Sequence, residues 1–565
     1  MAPIFDIMRY LRFSSIFLSL AFTVMLSVTI QWVISKRKKS CSSLPIPPGP
    51  KPWPLVGSIP EILRNKPAFR WIHNFMDEMN TEIACIRLGG TYVIPVTSPE
   101  LACEFLKKQD SIFSSRPRCM SAALISNGYL SSLFLPYGEE WTKKRRILTS
   151  HVLSPATQHL VLNKRVEEAD HLLRFIYNQC KISEASAMGA VINVRTATRH
   201  YCGNVTKKML FNKRYFGRGT EDGGPGAVDE ELVKAVFTIL RYLYGLGVAD
   251  YIGWLSLFDL DGHKSMIRKA LKVTRKHLDT EVDKRIQMWK DGTKTAEEDI
   301  VDVLVMLKDN DGSPMLSDKE IKIQVLVNYT KLIIVINSVI NTLMHACINI
   351  FVNVQEIMIA ALDNPSNAVE WALAEMINQP KLLEKAVEEV DKVVGRERLV
   401  QESDLPKLNY IKACVKEAFR LHPIAPFTPP HLSTEDSVVG GYFIPKGSQV
   451  IISRTGLGRN KRAWEDPLKF KPERHFKGED VDVDVVLSDS ELKMMSFSAG
   501  RRGCPGVKLG SLMSVMLMAR LIQGFTWSVP ADLPCIDLTE SKYDLFLENP
   551  LFALAKPRLP HHLYI

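Results

Sequence analysis

The chain has 565 residues, of which 46% are hydrophobic, 24% charged and 8% aromatic. That balance supplies a large globular core and excludes disorder, a collagen-like fibre and a polytopic channel as the main state. Lys and Arg number 72 against 62 Asp and Glu, a net +10 that a polybasic segment and a docking face can supply, so no nucleic-acid partner is required. Ten cysteines without a C-x-x-C pair argue against a disulfide framework or a zinc ribbon. At about 150 residues per domain the length suggests three or four domains.

Arg9 and Arg12 precede an uncharged run from Phe13 to Ser35, which Lys36-Arg37-Lys38-Lys39 closes. At ~1.5 Å per residue such a helix spans the ~30 Å hydrocarbon core, which predicts a membrane anchor over 1–35. The cations after the run outnumber those before it, so the remainder is expected on the cytosolic side, with the sequons at Asn204 and Asn328 unglycosylated. A cleaved signal peptide is the competing reading, but it calls for a shorter apolar stretch and a small-residue cleavage site. Residues 36–54 form a basic, proline-rich hinge with six prolines from Pro45 to Pro54. Each ring restricts its own φ and the residue before it, giving either a stiff spacer that sets attitude to the bilayer or a generic linker.

Residues 55–565 show no repeat and no clear linker, which predicts one large domain, mainly α with a smaller β part. Trp141 and Arg145 lie four apart and share a helix face. The run 332–355 is uncharged and by length alone is a second spanning candidate. Leu383, Val387, Val390 and Val394 recur at helical spacing, with Gly395 ending the run. Glu417 and Arg420, at i and i+3, taken alone would be a solvated helix pair, but Ala413, Val415, Ala418, Phe419 and Leu421 surround them. Gly441 to Ile452 reads as two short strands around a Pro-Lys-Gly turn.

The most informative stretch is Phe497-Ser-Ala-Gly500-Arg-Arg502-Gly-Cys504-Pro-Gly506, before an apolar run from Val507. A cysteine in a glycine-bracketed loop at a helix N-terminus is expected to favour thiolate and to serve as a soft metal ligand. The flanking glycines let a flat ligand approach, and Arg501 and Arg502 offer cations to carboxylates. Ten residues in this pattern resemble the haem signature F-x-x-G-x-R-x-C-x-G of the cytochrome P450 family at every fixed position. The resemblance implies a single large cytochrome P450 fold behind an N-terminal transmembrane helix and haem b, with Cys504 as axial iron ligand. It also implies O2, and NADPH electrons delivered by NADPH-cytochrome P450 reductase. It assigns haem contacts to Phe497, Arg502 and Gly506, and propionate contacts to Trp141, Arg145 and, on a looser match, His431. Phe470-Lys-Pro-Glu-Arg474 resembles the family's F-x-P-x-R, so Glu417, Arg420 and Arg474 are expected to form a buried charge triad. Lys143, Lys144 and Arg146 are candidates for the basic face on which the reductase docks; a merely solvated helix face is the alternative.

The run Asp363-Asn364-Pro365-Ser-Asn-Ala-Val-Glu-Trp371 aligns with the family's oxygen-activating helix but carries Asn364 where a threonine is usual. With Arg474-His475 in place of the usual Arg-Phe, it resembles the plant amino-acid N-hydroxylases that make aldoximes for glucosinolates or cyanogenic glucosides. Ala499 and Pro505-Gly506-Val507-Lys508 depart from that branch. The branch implies an amino-acid substrate, an endoplasmic-reticulum membrane location with a cytosolic catalytic domain, and Asp363 and Asn364 on the proton path. Substrate walls are expected from Met120–Phe134, from Pro426-Phe427-Thr428 and from Leu545-Phe546-Leu547, with Arg116 or Arg118 as carboxylate partner. A carbon-hydroxylating enzyme of the same fold, or a haem protein inactivated by an insertion, is the alternative. A membrane span at 332–355 would part Trp141 and Arg145 from Cys504, so it is rejected. Residues 325–355 instead fit a retained intron translated in frame, because valine codons begin GT and a glutamine codon can end AG. A looped-out or lipid-facing insertion is the competing reading.

Overall fold

The computed structural model describes residues 44–126, 128–129, 131–182, 189–214, 227–243, 246–252, 259–308, 351–476 and 484–565. The helices that build and frame the site are, in chain order, α1 Glu139–Ile147, α2 Leu162–Ile182, α3 Val194–Phe211, α4 Ala227–Tyr242, α5 His263–Lys290, α6 Phe351–Asn378, α7 Pro380–Val393, α8 Asn409–Leu421 and α9 Val507–Gly524. The strands are β1 Ile86–Leu88, β2 Thr91–Val96, β3 Ala190–Asn193, β4 His431–Leu432, β5 Ser437–Val439, β6 Tyr442–Ile444, β7 Gln449–Ile452, β8 Phe525–Ser528 and β9 Phe552–Pro557. They make a mainly helical body with small sheets, as the sequence predicts.

The largest sheet has the order β1-β2-β7-β4. Its central pair is parallel, with Ile94 opposite Val450, and His431 lies antiparallel to Val450. The order β3-β9-β8 makes a second, antiparallel sheet. The turn read at Pro445-Lys446-Gly447 does separate two strands, but they do not form a hairpin. β6 pairs with β5, whereas β7 enters the large sheet. Strand content is set locally, whereas the partner is chosen by which apolar face the tertiary core can cover.

α6 lies at the centre of the main core, with α3, α7, α8 and α9 packed against it. Every residue from Pro365 to Ile377 is buried, so this stretch has no solvent face and its charged groups need partners within the core. Its two acids in that stretch are paired. Glu370 accepts from Nε of Arg195 on both oxygens at 2.9 Å, and Glu375 meets Nε2 of His422 at 2.9 Å. The ring of His422 stacks on Trp371 with centroids 3.7 Å apart, and Trp371 donates to Leu545 O. α6 is thereby tied to the C-terminal segment that passes over the cavity. The helix continues through Pro365 without a break. The amphipathic run predicted at 383–394 is α7, closed by Gly395 at φ +79°.

The described part of the proline-rich segment is docked on the body. Cys85 donates to Pro48 O at 2.7 Å and Phe443 to Pro45 O at 2.8 Å. Gly49 runs so close to β1 that a Cβ there would lie 1.8 Å from Cys85 O, which only glycine permits. Asn204 is buried within α3, so it cannot accept a glycan on either side of a membrane. No helix among the described residues is long and apolar enough to cross a membrane. The anchor read over 1–35 and the segment 325–350 lie outside the described residues, and 351–355 form the start of α6.

Candidate active site

A cavity of about 1160 Å³ opens above Cys504. Its walls are Ile125, Ser126 and the run Ser131 to Phe134, α4 at Phe237 and Ile239, α6 at Asn364 and Pro365, the turn Pro426-Phe427-Thr428, and Leu545-Phe546-Leu547. The segment before Phe134 and those at 426–428 and 545–547 are among the walls expected from sequence, whereas α4 is not, and all come from parts far apart in the chain. Phe427 stacks on His73 at 5.2 Å, and Phe546 meets Phe237 edge-on at 6.0 Å, so both rings are braced from behind.

Cys504 is presented by a tight turn. Its N–H donates to Phe497 O at 2.7 Å, and Gly503 donates to Gly500 O at 3.0 Å. Gly500 has φ +68°, and a Cβ there would lie 2.2 Å from Leu106 O. Cys504 is exposed on the cavity wall while protein encloses it on the other sides. Burial pushes its thiol above the ordinary value, against the pull of the Gly506 N–H and of Arg145 and Arg454. The Gly506 N–H at the start of α9 does pull toward the thiolate, as expected, and desolvation is the larger, opposing influence.

Cations surround the sulfur. Arg145 on α1 donates to Gly503 O at 2.6 Å. Arg502 lies over the Trp141 ring at 4.5 Å and donates to Ser132 O and Leu135 O, while Trp141 Nε1 also donates to Ser132 O. His431 in β4 is buried, and its Nδ1 faces Phe113 O at 2.9 Å, where a hydrogen must sit. Its Nε2 is a buried atom without a hydrogen-bond partner. Burial, with the charges of Arg116 and Arg502, holds this imidazole far below its ordinary pKa.

Behind the cysteine turn lies the expected charge cluster. Glu417 and Arg420 on α8 form a fully buried bidentate pair, Nε to Oε2 at 2.8 Å and Nη2 to Oε1 at 2.7 Å. Arg474 joins at 3.0 Å. His475, which the triad reading leaves out, adds a fourth contact from Nε2 to Glu417 Oε2 at 2.8 Å. Burial raises the Glu417 pKa, but Arg420 and His475 outweigh it and bring the group down to about 2. The signal in the sequence was the histidine at a position usually held by phenylalanine.

The other expected residues divide. Arg116 lines the cavity but donates to Pro429 O and Pro430 O at 2.7 and 2.8 Å, which pins the approach to β4. Arg118 is exposed, stands over the Tyr129 ring, and is not among the cavity-lining residues. Asn364 borders the cavity, and the Asp363 side chain lies outside what the structure describes. Lys144 is buried, so it leaves the proposed docking face, whereas Lys143 and Arg146 are exposed. Arg454, which no motif marks, also lines the cavity.

The family model described as cytochrome P450 matches residues 47–330 and 346–554. The chain belongs to the cytochrome P450 family. It is 51% identical to isoleucine N-monooxygenase 1 of Lotus japonicus, across 95% of this chain and 94% of that one. It is 51% identical to phenylalanine N-monooxygenase of Arabidopsis thaliana, across 92% and 93%. To tyrosine N-monooxygenase of Sorghum bicolor it is 48% identical, across 98% and 95%.

Membership of the cytochrome P450 family implies haem-thiolate iron, O2 and electrons from a reductase. The donor set fits. A soft sulfur faces the cavity, three cationic or N–H groups lie beside it, and the orphaned His431 Nε2 suits a carboxylate. A carboxylate placed there would favour the doubly protonated ring, reversing the depression that burial imposes.

Two outcomes follow. Gly500→Ala forces a non-glycine residue into the left-handed region at a cost of about 1–2 kcal/mol and pushes on Leu106. It should lower the fraction of protein that gives a cysteinate-type carbon-monoxide difference band; an unchanged fraction would show that the turn tolerates the change. Glu417→Gln leaves Arg420 and Arg474 buried without their anion and should cost about 3–5 kcal/mol at neutral pH. Because the folded pKa of about 2 lies below the unfolded ~4.3, the ionic contribution is complete above about pH 4.3 and fades as pH falls toward 2. Thermal melts at pH 7 and pH 3 check this, with the gap between parent and variant narrowing at the lower pH.

Proposed function

We propose that this cytochrome P450 N-hydroxylates an amino acid to its aldoxime in plant specialised metabolism. The observation that carries the reading is the match over 92–98% of the chain to relatives named for N-monooxygenation of isoleucine, phenylalanine and tyrosine. The run from Asp363 to Trp371 and the Arg474-His475 pair support it.

Haem b held through Cys504 supplies oxygen activation, with electrons passed from NADPH by the reductase. Each turnover takes one O2 and two electrons, places one oxygen on the amino nitrogen and releases the other as water. After two turnovers, loss of water and carbon dioxide leaves the oxime. Trp141, Arg145, His431 and Arg502 hold the haem carboxylates. Asn364 and Pro365 border the cavity, and the missing N–H of Pro365 frees the carbonyl of the preceding turn to hold water. With Asp363 they form the proton path. Phe427, Phe546 and Phe237 hold the amino-acid side chain and exclude water. Lys143 and Arg146 belong to the basic face that receives the reductase, and the anchor over 1–35 keeps both partners on one endoplasmic-reticulum membrane, catalytic domain in the cytosol.

The reading of 325–355 as a retained intron is supported by the gap in the family match, since the unmatched residues 331–345 fall inside it. Deletion of those 31 residues leaves a chain of 534.

Incubation of the reductase-coupled protein with labelled valine, isoleucine, phenylalanine, tyrosine and tryptophan should give an oxime from at least one; products hydroxylated only at carbon would support the alternative chemistry. Transcript sequencing should find a shorter message joining Gln324 to Glu356, and the 534-residue protein should carry at least as much cysteine-ligated haem per chain as the long form. A transcript pool holding the long form alone would overturn the intron reading.

A further inference from the structure

Arg454 lies two residues after the end of β7 and opens the short helix Arg454–Gly458, whose N-cap Ser453 accepts from Gly456 N–H at 2.7 Å. Its own N–H donates to Pro426 O at 2.8 Å, and Ser453 bridges to Phe427. This cap locks the residue behind the Pro426–Thr428 wall, and its side chain lines the same cavity as Cys504. Among the other arginines that line the cavity, Arg116 is anchored through Nη1 on two carbonyls although its Nε is also a buried atom without a hydrogen-bond partner, Arg502 is held on carbonyls, Arg145 on Gly503 O and Arg195 on Glu370, while Arg199 and Arg241 lie over aromatic rings. Arg454 Nε is buried with no partner, and no described carboxylate forms an ion pair with this guanidinium.

Arg454 is half-buried, with its Nε enclosed and its side chain on the cavity wall; a guanidinium drawn this far from water is stabilised by an anion to face. Burial draws the Arg454 pKa down to about 10, with the Cys504 charge opposing, so the group remains a cation at neutral pH. A thiolate is one anion within its field, but a planar fork of N–H donors is complementary to a carboxylate.

We propose that Arg454 is a carboxylate-binding residue of this cavity. Two carboxylates belong here under the function proposed above, on which the inference rests: a haem propionate and the α-carboxylate of the amino-acid substrate. Of the sequence-based candidates for the substrate carboxylate, Arg118 does not line the cavity, and Arg116 lines it with Nη1 tied to two carbonyls.

The test uses the full-length, haem-loaded protein and its Arg454→Gln and Arg454→Lys variants. Haem per polypeptide is read by a haemochrome assay, and ligand affinity by optical titration with phenylalanine, isoleucine and their primary amides. If the partner is a propionate, the glutamine variant should lose haem several-fold, with lysine intermediate. If the partner is the substrate, haem content holds, and the glutamine variant binds the amino acid at least tenfold more weakly while its affinity for the amide is unchanged. Haem content and both affinities within twofold of the parent would overturn the proposal. Should the glutamine variant fail to fold by circular dichroism, the lysine variant decides by the same readouts. A parent that binds no amino acid refutes the proposed function and leaves the haem measurement to decide for Arg454.

Discussion

The buried carboxylate of Glu417 is the point on which the catalytic end of the molecule depends. It cannot remain ionised in the core without compensating cations, so it draws Arg420 and Arg474 to it, with His475 as a further hydrogen-bond partner. Arg420 then reaches Pro467 O and Lys469 O, and Trp464 stacks under both arginines. Trp464 donates onward to Lys493 O, and Phe419 packs edge-on against Phe497, whose carbonyl receives the Cys504 N–H. One charge is thus connected to the position of one sulfur through a short series of contacts.

The sulfur sits where two demands conflict. It must face a cavity that excludes water, and exclusion of water disfavours the thiolate. Burial pushes the thiol above its ordinary pKa against the pull of the Gly506 N–H and of Arg145 and Arg454. The remaining stabilisation is of the kind a bound metal ion supplies outright to a coordinating thiol. Around the same floor the cations are held largely by backbone carbonyls, an arrangement that keeps them ordered and gives carboxylates several places to bind.

The distal side is built on different physics. α6 is buried throughout its second half, so its position is set by packing rather than by surface charge, and its two acids there are paired while Asn364 borders the cavity. The Trp371–His422 stack and the Trp371 bond to Leu545 O connect that helix to the segment bearing Phe546. Cavity shape and oxygen-side chemistry therefore share one support, which links side-chain specificity in the substrate to the placement of Asn364.

Much of this was legible in the chain alone, because the features concerned are local. Phe497 to Gly506 specify a turn, a ligand and a cation within ten residues, and the Glu417–Arg420 and Trp141–Arg145 pairs need only one helix each. The fold class followed from the same motifs in order. Burial and partner choice did not follow, since they depend on what distant segments bring. Lys144 and Lys143 are neighbours, yet one is buried and the other exposed. Arg116 and Arg118 look equivalent in sequence, yet only the first lines the cavity. β6 and β7 flank one turn but join different sheets. His475 completes the Glu417 cluster, and Arg454 lines the cavity of Cys504 with its Nε unbonded among the described residues, because segments up to 58 positions apart converge at these sites. A desolvated charge is costly enough to decide structure, but only the tertiary fold determines which charges are desolvated.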